Sequence, residues 1–296
     1  MRIGRLVRRP YWLLHGIALL IAGAGACADG QSVFPYQEHI WEVFPASEFY
    51  PYYLADPIRP QGAVMVLSVA DSDIPESGKA RFGLRLGGRF PLLRVHPNGN
   101  SECGWQLDFE GGFTGHFDMD YSMDNIGWDG LYGLLLSYKP TPNFGLRLGT
   151  QHDSAHLGDE YAERTGRERI GYTREEGVAG ASWKTSSRWH FYLEGGYSYA
   201  VKPFQERWRA QAGLEYLGAK RWHHDRAGWY AALDLRAYAE NDWKPRATTQ
   251  IGLVIPTGAG TNKHRFALEI ALGRSVLGEF FTGDESYAAL GWYFDH

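Results

Sequence analysis

The sequence has 296 residues and a formal net charge of −4, so it lacks the basic excess that binding a phosphate backbone demands, and nucleic acid is excluded as a partner. Aromatic residues make up 15% of the chain, with 11 Trp and 18 Tyr, beside 37 Gly. An aromatic and glycine excess without a long apolar run is the composition of a membrane β-barrel, in which only every second residue faces lipid.

The chain opens MRIGRLVRRPYWLLHGIALLIAGAGACADGQ, with Arg2, Arg5, Arg8 and Arg9 ahead of a short apolar run and then small residues. The run from Trp12 to Ala26 is shorter than the ~20 residues of a spanning helix. Residues 1–28 therefore read as a secretory signal peptide, with Ala26-Cys27-Ala28 fitting cleavage before Asp29. Lipidation at Cys27 is the lesser alternative, because AGAC has no large aliphatic residue three positions before the cysteine. Removal of Cys27 leaves Cys103 as the exported chain's one cysteine, so no intramolecular disulfide is expected and a disulfide-stapled small fold is excluded. Residues 29–60 follow, rich in Pro and aromatics and without a period. They are expected to form an ordered periplasmic leader or a partial plug, too short for a separate domain.

From residue 61 to 296 the chain alternates. In RAGWYAALDLRAYAE the odd positions from Ala227 to Ala239 are apolar, while Asp234, Arg236 and Glu240 share the other parity. Phe266, Leu268, Ile270 and Leu272 oppose Arg265 and Glu269; Trp208, Leu214 and Tyr216 oppose Arg207, Arg209 and Glu215; Phe82, Leu84 and Leu86 oppose Arg81, Arg85 and Arg89. A soluble half-buried sheet also alternates. Three features favour a membrane barrel over that reading: charged residues on the polar face of nearly every strand, runs reaching the ~9–11 residues of a tilted spanning strand, and Trp or Tyr near strand ends.

Counting such runs predicts about twelve strands, near 62–70, 80–90, 103–117, 125–138, 143–156, 168–183, 188–199, 206–217, 227–239, 245–255, 263–273 and 286–294. The predicted fold is an all-β, antiparallel up-and-down transmembrane barrel with both ends of the sheet on one side. The final run, YAALGWYF, keeps Leu290, Trp292 and Phe294 on one face. It resembles the C-terminal signal of bacterial outer-membrane barrels, which implies the barrel assembly machinery as a partner during biogenesis. Asp295 and His296 extend past the usual terminal aromatic. A periplasmic C-terminus directs the strand of residues 143–156 outward. It also makes KPTPN and WKTSSRW short periplasmic turns, with AKRWHHDRAG an unusually long one.

Inward charges of both signs, among them Arg81, Arg85, Asp108, Glu110, Asp129, Arg147, Glu194, Arg207, Arg209, Asp234, Arg265 and Glu269, predict a lumen that is largely filled, or a narrow polar channel, held by ion pairs. A single-sign ring would have argued for ion selectivity.

QHDSAHLGDEY, residues 151–161, carries the candidate chemistry. Phe144, Leu146 and Leu148 face lipid, and their parity continues through Thr150, His152, Ser154 and His156. A His and a Ser two apart on a strand lie side by side, roughly 6–7 Å between Cα atoms, so the imidazole can take the hydroxyl proton if a third group orients it. Glu175, on the outward face of the next strand, and Glu160, in the loop, are the candidates for that third group. A metal shared by His152 and His156 is disfavoured by about 13 Å of strand between them. His223 and His224 beside Asp225 would point to opposite strand faces. Asp159 and Glu160 are the weak candidates for a divalent cation such as Ca2+, shared with lipopolysaccharide phosphates.

The His152-x-Ser154 pair resembles that of outer-membrane phospholipase A and the lipid A 3-O-deacylase, lipid hydrolases built on barrels with the pair on an outward strand face and an Asn or Glu on the next strand. The resemblance departs at Ala155, where those enzymes carry Asn. A wider resemblance rests on FYPYYLADPIRP, HDSAHLGDEY and RERIGYTREE, which are similar to recurrent motifs of a bacterial outer-membrane family known as domain of unknown function 1207. It implies the barrel and no activity. The leading expectation is a barrel in the outer membrane that is structural, interacts with lipid or lipopolysaccharide, or forms a narrow channel. The alternative is a lipid acyl hydrolase with Ser154 as nucleophile, His152 as base and Glu175 or Glu160 as orienting group.

Overall fold

The structure, a computed structural model, describes residues 39–47, 49–203, 206–222, 227–257 and 262–295. The signal peptide, its cleavage site and His223, His224 and Asp225 lie outside the described residues. The strands are β1 (His39–Val43), β2 (Gly62–Ser72), β3 (Ala80–Pro97), β4 (Gly104–Asp118), β5 (Asp124–Thr141), β6 (Phe144–Leu157) and β7 (Thr173–Lys184). They continue with β8 (Trp189–Lys202), β9 (Trp208–Trp222), β10 (Ala227–Tyr238), β11 (Arg246–Pro256), β12 (Lys263–Leu272) and β13 (Glu285–Asp295). One short helix, α1 (Asp159–Thr165), follows β6.

Sequential strands pair antiparallel from β2 to β13, and β13 pairs with β2, closing a twelve-stranded up-and-down barrel. This is the predicted architecture. Closure removes every free sheet edge along the barrel wall. One strand was not foreseen: β1 pairs with the far end of β3, Ile40 opposite His96 and Glu42 opposite Arg94, on the same edge that β2 occupies higher up. Two connections also differ from expectation. Most of AKRWHHDRAG is strand, since β9 runs to Trp222 and β10 starts at Ala227, whereas residues 168–172 precede β7 rather than belonging to it.

The alternation has the physical basis expected. Large apolar residues on the outer face are exposed, including Leu146, Leu148, Leu193, Ile251, Leu268 and Leu290. Arg81, Arg85, Asp108 and Glu269, on the inner face, are 0% exposed. Aromatic pairs gather near both strand ends, such as Trp105 on Tyr138 and Trp292 on Phe294 at one end and Tyr197 against Trp208 at the other, as amphipathic rings do at a bilayer interface. Leu193→Arg, on this outer face, is expected to cost about 2–4 kcal/mol in a bilayer, read by chemical unfolding in lipid vesicles. A change below 1 kcal/mol would show that this face does not meet hydrocarbon.

The lumen is occupied by residues 49–61. Tyr53 stacks on Tyr192 with centroids 3.6 Å apart, and Tyr52 lies between Arg59 and Arg89, each 4.5 Å from its ring. The backbone of Leu54 donates to Glu215 at 2.6 Å, Asp56 accepts from Arg236 at 2.7 Å, and Arg59 pairs with Asp295 at 2.5 Å. Wall charges pair with one another as well: Arg209 bridges Glu176 at 2.8 Å and Glu194 at 3.0 Å. The cavities left between segment and wall are small, about 20 Å³ beside Tyr53 and about 50 Å³ near Asp129. Reconstituted in a planar bilayer, the protein is expected to hold no sustained conductance step; a stable step would contradict a filled lumen.

Two expectations need correction. Arg207 does not enter the lumen: β9 begins one residue later, and the guanidinium donates to the Ser198 and Tyr199 carbonyls at 3.3 Å and lies 5.9 Å from the outward Tyr197 ring. Cys103 is buried and disulfide-bonded, against the expectation of no intramolecular disulfide. That expectation rested on Cys27, the one other cysteine, leaving with the signal peptide; Cys27 lies outside the described residues.

At the opposite end from the C-terminus, Ile74, Ile126, Leu157, Tyr161, Val276, Leu277 and Phe280 form an apolar cap over the lumen. Tyr161, on α1, supplies the link, its hydroxyl donating to the Pro75 carbonyl at 2.5 Å. The helix stops at Gly166, whose φ of 68° suits a residue without Cβ.

Candidate active site

The site is on the outer face where β5, β6, β7 and β8 run side by side. Register places His152 opposite Tyr132 on β5 and Glu175 on β7; Ser154 is opposite Gly130 and Thr173. His152 and Ser154 thus share the face of Leu146 and Leu148, while Arg147, Asp153 and Ala155 point inward.

His152 Nδ1 lies 2.6 Å from Glu175 Oε1, and the imidazole is stacked on Tyr132 with centroids 4.5 Å apart and planes 23° from parallel. A carboxylate can only accept, so Nδ1 carries the proton, and in the neutral imidazole Nε2 presents a lone pair. Short charge-assisted hydrogen bonds of this kind are stronger than neutral ones. The side chains of His152 and Glu175 are 19% and 36% exposed, a half-buried pair held in one orientation. Glu175 is itself held: its Oε2 accepts from Tyr199 at 3.5 Å, and the Tyr199 hydroxyl shares a 2.9 Å hydrogen bond with Thr150. Tyr199 gets there through a bulge. Pairing between β7 and β8 jumps from Glu175 opposite Ala200 to Glu176 opposite Ser198, which leaves Tyr199 as the extra residue and aims its ring at the site.

Ser154 occupies the next outward position after His152. Among the described residues no hydrogen bond reaches Ser154 Oγ or His152 Nε2; in hydrolases such a bond often tightens only when substrate is bound. Gly130 lies beside Ser154. A Cβ added there would sit 3.6 Å from Ser154 Oγ and 3.3 Å from the Trp128 ring. On either side of the glycine, Trp128 is stacked on His156 at 4.0 Å and Tyr132 on His152 at 4.5 Å.

Of the two orienting candidates, the structure brings Glu175 to His152 and places Glu160 on the exposed side of α1. Asp159 forms an exposed ion pair with Arg169. No group of three or more His, Cys, Asp or Glu side chains able to hold a metal occurs among the described residues, and an Asp159 already paired with arginine fits a calcium ion poorly. Sequence reasoning missed Tyr132, Gly130 and Tyr199. All three are on outward strand faces, Tyr199 in parity with Tyr197, and bringing them to His152 and Ser154 needs the register.

Fold and surface together define an outer-membrane-type β-barrel bearing a Ser, His and Glu cluster on its lipid-facing side. The chain belongs to the family described as Protein of unknown function (DUF1207), whose sequence profile matches residues 28–296. Among solved structures it is similar to an active-site mutant of outer membrane phospholipase A from Escherichia coli, with TM-score 0.57 and 14% identity over 83% of this chain and 91% of that one. It is also similar to the calcium-bound dimer of the Salmonella typhi outer membrane phospholipase, with TM-score 0.56 and 11% identity over 83% and 95%. No protein of curated description matches the sequence.

Proposed function

We propose that this protein is an acyl hydrolase of outer-membrane lipids, with Ser154 as nucleophile, His152 as general base and Glu175 as the group that orients His152. The observation that carries the reading is the 2.6 Å bond between His152 and Glu175 on the lipid-facing surface, one strand position from Ser154. A catalytic serine needs a base whose tautomer and direction are fixed by a third group, and a hydrolase of membrane lipids needs all three outside the barrel. That two barrels of like fold are phospholipases is consistent with it.

In this reading Ser154 Oγ attacks the ester carbonyl carbon while His152 Nε2 accepts the hydroxyl proton, and Glu175 stabilises the imidazolium through Nδ1–H. The tetrahedral adduct collapses, His152 returns the proton to the departing alcohol, and the acyl group stays on Ser154. Water, deprotonated by His152, then releases the fatty acid and restores the serine. The proposed setting is the outer leaflet, with residues 1–28 directing export and the β6 to β7 connection outside the cell.

A second reading keeps the same surface as a lipid- or lipopolysaccharide-binding face without turnover. What favours it is that Ser154 Oγ is not bonded to His152. The filled lumen counts against a channel. Mass spectrometry of phospholipids and lipid A incubated with refolded protein separates the two. Released fatty acid from the native protein and none from Ser154→Ala supports the hydrolase. Equal product from both, or none from either with and without calcium, sinks it.

A further inference from the structure

Attack by Ser154 on an ester leaves a negative charge on the former carbonyl oxygen, and neither His152 nor Glu175 stabilises it. That charge calls for hydrogen-bond donors held about 3 Å from where it develops. Backbone N–H groups are the usual donors, and on these strands they are already committed. The Gly158 N–H donates to the Ile126 carbonyl at 3.1 Å, and the Ala155 N–H to the Tyr172 carbonyl at 2.8 Å. Antiparallel ladders alternate, so these two bonds fix the rest: Ser154 and Gly130 form a hydrogen-bonded pair, which turns the Ser154 N–H into the ladder with β5. The Thr173 N–H turns the other way, into the ladder with β8. A donor for the oxyanion must therefore come from a side chain.

The same alternation makes Ser154 and Thr173 a non-hydrogen-bonded pair, the kind with Cα atoms about 4.5 Å apart and side chains closest together. His152 and Glu175, two positions along, are a pair of the same kind, and there the side chains meet at 2.6 Å. Thr173 shares the outward face of Ser154 and is half-buried, and its hydroxyl makes no hydrogen bond among the described residues. Other outward donors are farther from Ser154. His156 is roughly 6–7 Å away along β6 at Cα and is stacked on Trp128. Lys202, opposite Thr173 on β8, is two strands from Ser154, about 10 Å at Cα.

We propose that Thr173 donates to the oxyanion of the acyl-transfer step, an inference that rests on Ser154 acting as the nucleophile. As Ser154 Oγ bonds to the ester carbon, the π pair of the carbonyl moves onto its oxygen. Thr173 Oγ1 keeps its proton and donates a hydrogen bond to that oxygen. When the adduct collapses, the carbon–oxygen double bond forms again and the hydrogen bond weakens. The interaction is strongest when the oxygen carries charge, so it lowers the barrier rather than tightening ground-state binding. The work is thus divided between two paired strands: β6 carries the attacking oxygen and its base, and β7 carries the orienting carboxylate and the oxyanion donor.

The test is steady-state hydrolysis of dioctanoyl phosphatidylcholine in mixed micelles and of purified lipid A by the refolded full-length protein, with folding checked by heat-modifiable gel mobility. Thr173→Val matches the shape of threonine and removes the hydroxyl; Thr173→Ser keeps the hydroxyl. Thr173→Val is expected to lower kcat about 10²–10³-fold and to leave KM within about threefold of native, while Thr173→Ser recovers most of the rate. A merely structural role would reduce the folded fraction and would not separate kcat from KM in this way. Native kcat in Thr173→Val, a rise in KM alone, or Thr173→Ser as slow as Thr173→Val overturns this proposal and leaves Ser154 as nucleophile untouched. No fatty acid from either lipid with the native protein overturns both.

Discussion

Ser154→Ala is expected to lower ester hydrolysis by the refolded protein about 10³-fold or more, and His152→Ala to do the same, with the double variant no worse than either single one. In the proposed mechanism the three side chains act in one step, so removing the nucleophile or the base removes the whole of their contribution. Glu175→Ala should cost less, on the order of 10²-fold, because the imidazole stays stacked on Tyr132 at 4.5 Å and loses only the bond that fixes its tautomer. Glu175→Gln should fall between, since an amide oxygen still accepts from Nδ1–H but brings no charge to the imidazolium. The readout is fatty acid released from phospholipid in mixed micelles, with unchanged heat-modifiable mobility as the proof of folding. A purely structural network would order these variants differently: Glu175→Ala, which breaks the 2.6 Å bond, would then outrank Ser154→Ala, which breaks none.

The ranking of those variants was only partly legible in the sequence. The barrel was readable because its two faces meet different media: Arg, Glu and Asp alternate with Leu and Trp over runs of ten or more residues, and twelve such runs leave few other closures. The outward face of Glu175 was readable for the same reason. Its register was not, because the β6 to β7 connection contains α1 and fixes no offset between the strands; only pairing shows that Glu175 is opposite His152 and that Thr173 is opposite Ser154. Five residues, HIWEV, are too few for alternation to declare β1. Residues 49–61 have no period at all, since they are held by side chains from many strands rather than by a sheet. Arg207 was misplaced by extending parity one residue beyond the strand, and Tyr199, whose outward face was readable, was missed because the bulge that sets its position against Glu175 shows only in the pairing.

Arg85→Ala is expected to destabilise the barrel by about 3–5 kcal/mol, the cost of leaving one member of a buried ion pair unmatched. Arg85 and Glu269 are both 0% exposed and meet through two bonds of 2.8 and 3.2 Å, from β3 to β12 with β2 and β13 between them in the wall. Glu269 also accepts from Gln250 at 2.7 Å, Tyr287 at 2.9 Å and Tyr293 at 3.0 Å. Glu269→Ala should therefore cost at least as much as Arg85→Ala, since it strands a guanidinium and three neutral donors. Arg85→Met with Glu269→Leu removes both charges, and its cost should fall well below the sum of the single changes, a coupling read from a double-mutant cycle by urea unfolding in lipid vesicles. The exposed Arg169 and Asp159 pair provides the contrast: Asp159→Asn should change stability by less than about 1 kcal/mol. If Arg85→Ala cost no more than that, water would be solvating the stranded Glu269 carboxylate. The lumen would then be a hydrated passage rather than a packed core, and the channel reading would have to be taken up again.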